Sequence, residues 1–167
     1  MDRIPFLISE LEATRSYTLR ILDQCAPEIW YKAPAGAPTH IAWQVGHLAI
    51  AQYNHFVQRI AGETEADKTV IDTARYFVLF NKGTTPEDRP ELYPPREQLL
   101  ADLATMLAHG KKLLAAQTDA SLDLPVRQPH QIVKTRYESA MWMIKHEFIH
   151  VGQIGLLRRL HGLTPWR

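Results

Sequence analysis

Apolar and small side chains recur at alternating steps of four and three near the start of the chain, at Leu7, Leu11, Thr14, Thr18, Ile21 and Cys25. That spacing is the stripe of a helix burying one face, and it predicts a first helix from roughly Ile4 to Cys25. "APEIWYKAPAGAP" (Ala26 to Pro38) breaks it with three prolines and a glycine. A second helix is expected from an N-cap near Thr39, through "HIAWQVGHLAIAQYNHFVQRIAG", to a glycine stop at Gly62. A third opens at "PPREQ" with Leu100, Leu103, Leu107 and Leu114 as its stripe. The fourth begins with a capping-box pattern, Thr135-Arg136-Tyr137-Glu138, and ends near His161-Gly162. Between the second and third lie about 31 residues, Glu63 to Tyr93, too many for a tight hairpin. The expected fold is all-α, a four-helix bundle with a long crossover between helices 2 and 3, in a single domain over residues 1–167.

Composition narrows the function classes. The net charge of +1 comes from 19 basic and 18 acidic residues, which argues against a nucleic-acid surface. Cys25 is the one cysteine, and the opening "MDRIPFLISELEATR" has no long apolar run. A cytoplasmic protein bound to neither nucleic acid nor membrane is expected.

The fourth stripe is where chemistry enters. Ser139, Met143, His146, His150, Gln153, Leu157 and Leu160 are spaced by steps of three and four. His146, His150 and Gln153 therefore stand where a bundle wants leucine. Burying such groups without partners costs on the order of 1–3 kcal/mol each. The second helix repeats the anomaly, with His47 on the line of Trp43, Ile50 and Val57. If the two helices are neighbours, three imidazoles converge as zinc prefers, with nickel, iron and manganese as other divalent choices. The bland alternative is a set of hydrogen-bonded core histidines. His40 falls in a first helical turn, and His55, His109 and His130 read as surface or loop residues. His161 lies about 16 Å along the axis from His150, too far to share an ion.

His146-Glu147-Phe148-Ile149-His150 also matches H-E-x-x-H, the zinc-peptidase signature. A peptidase needs a third ligand beyond the motif, yet the metzincin positions hold Gln153 and Leu156, and no Asp or Glu follows Glu147. The third ligand must come from upstream. Glu147 itself reads either as a base near a metal-bound water or as a half-exposed charge beside Lys145.

"IAWQVGHL" on the second helix and "HEFIHVGQIGLLRRLHG" on the fourth, with the long connection, resemble the DinB-like (YfiT-like) superfamily of metal-dependent proteins. The resemblance spans almost the whole chain. It implies a four-helix bundle with helices 2 and 3 parallel and a divalent ion on three histidines, carried over here as His47, His146 and His150. It also implies thiol-dependent transfer or isomerisation with glutathione, mycothiol or bacillithiol, or hydrolysis, and assigns no role to Glu147. The leading expectation is a metal-dependent S-transferase acting on a small molecule. A metal-dependent hydrolase and a non-catalytic metal-binding or sensor bundle are the alternatives.

Three finer expectations follow. Gln153, one turn beyond His150, is expected to orient a ligand ring or a water. The crossover is expected to wall the substrate site, with Tyr76, Phe77 and Phe80 as apolar lining and Arg75 and Lys82 for an anion. Among relatives homodimers are common, and Trp30, Tyr31 and Trp166 are candidate exposed aromatics.

Overall fold

Four long helices form where the stripes fall. The computed structural model describes residues 2–165 of the 167. Helix α1 (Arg3–Asp23) buries Leu7, Leu11, Thr14, Thr18 and Ile21 as its period requires, and Cys25 is buried just beyond its end. Helix α2 (Ile41–Gln52) starts one residue later than the threonine suggests. The cap is His40, whose Nδ1 accepts the Trp43 N–H at 3.1 Å, while the Thr39 hydroxyl accepts from Gln44 at 3.0 Å.

Past Gln52 the same helix widens. Tyr53–Ala61 is π-helical and closes with Gly62 N–H donating to the Val57 carbonyl at 2.7 Å, Gly62 taking a φ of 93°. In an α-helix each step of four over-rotates by about 40°. The wider π turns reverse that drift, so His47, Ala51, His55 and Arg59 all reach one cavity.

The crossover is not a plain connection. It contains α3 (Thr73–Phe80) and 3₁₀ turns at Ala66–Thr69 and Pro90–Leu92. Helix α4 (Arg96–Ala115), the single turn α5 (Asp119–Leu122) and α6 (Arg136–Leu160) complete six α-helices, with no strand among the described residues. The α6 cap carries both halves of its box: Glu138 N–H donates to Thr135 Oγ1 at 3.1 Å, and Thr135 N–H to Glu138 Oε2 at 3.2 Å.

Helix α1 packs on α6, α2 on α4 and on α3, and α4 and α6 flank the π-helical segment. Two apolar clusters fill the interior. Trp30, expected at the surface, is fully buried under the α1–α2 connection, its indole N–H donating to the Cys25 carbonyl at 3.2 Å. Tyr31 is half-buried with its hydroxyl on the Pro94 carbonyl, and Trp166 lies outside the described residues. No helix among the described residues is long and apolar enough to cross a membrane.

The phase of α6 differs from the stripe drawn through its histidines. Its buried side chains are Ser139, Ala140, Met143, Ile144, Glu147, His150, Val151, Ile154, Leu157 and Arg158. Gln153 and Leu160 are exposed, and His146 is half-buried. The helix packs on both α1 and α2, so its buried arc is wide, and the histidine line runs along one edge of it.

Candidate metal centre

His47, His146 and His150 come together across the α2–α6 contact. Their ring centroids are 4.5 to 5.3 Å apart, and one nitrogen from each can be chosen so that all three lie within 4.8 Å of one another. The partners of two rings fix their tautomers. His47 Nδ1 stands 2.7 Å from the Phe80 carbonyl and His150 Nδ1 meets Gln44 Oε1, and both oxygens can only accept. Each Nδ1 must therefore carry the proton, leaving Nε2 as a bare lone pair. The other end of the Gln44 amide lies on the Thr39 hydroxyl at 3.0 Å.

The third ring completes the donor set. His146 Nε2 lies 3.1 Å from His150 Nε2, and its Nδ1 is buried with no hydrogen-bond partner among the described residues. Two ring nitrogens that close need a shared proton or a cation between them. Burial, with the neighbouring imidazoles adding to it, holds His146 down to about 4 and His150 to about 2, and burial lowers His47 despite its bond to Phe80. All three are neutral near pH 7, the form that ligates a metal. The residues present fit a divalent ion.

Local sequence explains the precision. At Gly46 an added Cβ would fall 2.5 Å from the Phe80 ring, so only glycine lets α3 lie close enough to offer its last carbonyl to His47. Trp43 stacks on His47 with centroids 4.8 Å apart and planes 9° from parallel, and its indole N–H is tied to Thr84 at 2.9 Å.

The histidines line a cavity of about 640 Å³. One wall is α2 with its π-helical extension, another α6, a third Asn81–Gly83, and a fourth the loop residues Pro129 to Ile132. That loop is tied down at one end by Val126 N–H donating to the Lys134 carbonyl and Arg127 N–H to the Arg59 carbonyl, each at 2.9 Å.

Several expectations are corrected here. His55 is buried rather than superficial, its Nδ1 2.8 Å from Ser139 Oγ, and burial drives it to about 2. His40 is likewise buried. His109 is half-buried on Asp67 at 2.7 Å, and His161 sits on the Lys32 carbonyl at 3.1 Å, apart from the triad. Gln153 lines the cavity but makes no hydrogen bond to a ligand ring, so Gln44 and the Phe80 carbonyl hold the place proposed for it. Of the crossover residues, Lys82 reaches the cavity. Tyr76 and Phe80 are core, and the Arg75 guanidinium caps the Leu92 carbonyl at 3.1 Å. Gln44 was missed, although a buried amide one turn before His47 is the signal that marks it.

Glu147 faces away from the triad. Arg15 Nε and Nη2 donate to its two oxygens at 2.7 and 3.1 Å, Thr18 adds 2.7 Å and Gln52 3.3 Å, and 1 % of the residue is exposed. A carboxylate so enclosed is a packing element and not a base for the cavity.

No curated protein matches the chain. A conserved protein from Enterococcus faecalis, known from its crystal structure, shares the fold: TM-score 0.70 at 17% identity, over 96% of this chain and 97% of that one. The sequence profile of the DinB superfamily matches residues 10–154, and the chain with its three converging histidines belongs to that superfamily.

Proposed function

We propose that this protein is a metal-dependent enzyme that holds zinc on His47, His146 and His150 and transfers a low-molecular-weight thiol to a small electrophile, within the four-helix bundle with a crossover that its superfamily uses. The observation that carries this reading is the pair of bare Nε2 atoms, fixed by acceptor-only partners and joined by His146, at the wall of an open cavity. Bound there, a divalent ion supplies Lewis-acid chemistry, bringing the pKa of a coordinated thiol or water toward neutrality. The chain's own part is orientation and shelter. Phe80 and Gln44 aim the rings, Trp43 clamps His47 in plane, and Trp142 and Ile132 give the cavity apolar wall. With no carboxylate in the donor set, the ion keeps its full double charge.

The test is elemental analysis of untagged protein followed by a screen of thiols against electrophiles. About one zinc per chain and turnover requiring both substrates are expected. Ester hydrolysis without thiol would replace transfer by hydrolysis. Metal without turnover would leave a binding module, and failure to take up zinc or nickel would remove the reading altogether. The reading extends to a cytoplasmic protein and to a homodimer, the latter supported by exposed Phe148, Leu156 and Leu160 on α6, with Tyr17 of α1 edge-on to Phe148. A monomeric mass by light scattering at micromolar concentration would reject the dimer.

A further inference from the structure

The charge of the cavity wall is one-sided. Its lining holds two cations, Arg59 and Lys82, and five imidazoles, with no Asp or Glu. This is not general to the molecule. The groove of about 670 Å³ between α1 and α4 mixes Glu12 and Asp23 with Arg15, Arg20, Arg96 and Lys111. There Lys111 pairs with Glu12, and Arg15 is neutralised by Glu147. Arg59 and Lys82 make no ion pair among the described residues.

Of the two cations, Arg59 is the more enclosed. It is half-buried, its Nε is fully buried with no hydrogen-bond partner among the described residues, and burial lowers its pKa. A buried guanidinium N–H without a partner is a standing cost that a bound anion would offset. Both cations bear on the same point: after burial, the charges depressing His130 are those of Arg59, Lys82 and Lys134. After burial, the charge that most depresses His55 is likewise that of Arg59. The cations of the π-helical segment and the Asn81–Gly83 turn therefore make the field of the recess toward the 129–132 loop positive.

We propose that this recess is an anion subsite in which Arg59 and Lys82, with His130 between them, hold a carboxylate or phosphate of the substrate while its reactive end faces the three histidines. The substrate is thus an anionic small molecule. This rests on the reading of the cavity as a metal-dependent site and adds the substrate's charge to it. The expectation of an anion on Arg75 and Lys82 is revised, with Arg59 in the place of Arg75.

Glutarate and its uncharged analogue glutaramide separate the readings, each titrated into metal-free and zinc-loaded protein and followed by backbone amide NMR. Glutarate is expected to move the signals of Arg59, Lys82 and His130 in both forms, and glutaramide is not. Arg59→Gln and Lys82→Gln should each weaken glutarate by about tenfold, and Arg75→Gln should leave it unchanged. Equal binding of glutaramide, shifts confined to the ligand histidines, or full affinity in both variants would overturn the subsite. Lys82 is exposed, so its variant reports even if Arg59→Gln unfolds. Zinc content measured on the same samples keeps the two ideas apart. Selective glutarate binding without zinc uptake sinks the metal reading alone. One zinc per chain without selective binding sinks the anion subsite alone.

Discussion

Glu147 and the two histidines that flank it in H-E-x-x-H are one helical turn of the same chain, yet they lie in opposite environments. On one side of α6, Arg15, Thr18 and Gln52 close around a carboxylate until four donors are shared between its two oxygens. On the other, His146 and His150 turn lone pairs toward a cavity and toward each other. The closed network is complete in itself. The open one is incomplete, and incompleteness of buried donors and acceptors is what marks a ligand site. The comparison also explains why a peptidase signature can occur without the peptidase: a turn of helix separates its residues by 100° each, and here the helix is rotated to hide the glutamate.

The sharpest way to break this contrast is on the closed side. Glu147→Ala leaves Arg15 charged and buried without a counter-ion, and should destabilise by about 3–5 kcal/mol in urea unfolding. Arg15→Met with Glu147→Leu should recover most of that loss, since an apolar pair of similar volume removes both desolvated charges. Zinc affinity of the folded fraction should stay within about twofold in both variants. A specific collapse of zinc affinity in the double variant would mean that Glu147 serves the open side after all.

On the open side the order reverses. His150→Ala should weaken zinc by about 100-fold or more, because one of three donors is lost, while urea stability of the metal-free protein falls by only about 1–3 kcal/mol as Gln44 loses its partner. Competition against a chromogenic chelator measures it, and retention of stoichiometric tight zinc would break the assignment. Gln44→Leu acts at one remove. Freed from its acceptor, the His150 ring can rotate or shift its proton to Nε2, and zinc should weaken by about 10–100-fold. Gln153→Leu, with no bond to a ligand ring, should leave it within about twofold.

A separate way to probe the open side is the pH dependence of the metal-free protein. His40 and His146 titrate near 4 when folded, and His55 and His150 near 2, all below the unfolded value near 6.5. Between those values the unfolded chain binds protons that the folded chain refuses, so stability falls as pH drops below about 6.5. Urea midpoints at pH 7 and pH 5 should therefore differ, with pH 7 the higher. A midpoint that is flat from pH 7 to pH 5 would show that these rings are not as dry as their burial makes them.

Much of this was legible in the residues. Every position of the α1 stripe is buried because that helix has one broad buried face, although the period did not mark Arg15 beside it. The α6 cap and the pairing of His146 with His150 are equally plain, since capping and i, i+4 spacing are properties of one helix, whereas His47 joins them from α2. The phase of α6 was not legible. A helix packed on two neighbours has a wide buried arc, and a stripe drawn through its histidines finds the edge and not the centre. The sequence by itself determined which side chains are helical neighbours, that the chain is all-α, and that buried imidazoles need an explanation. Tertiary structure alone decided that Glu147 meets Arg15 from 132 positions away, that Phe80 lends a carbonyl to His47 across Gly46, and that Arg59 and Lys82 share a recess. These are contacts between elements, and no local period carries the angle at which one helix lies on another.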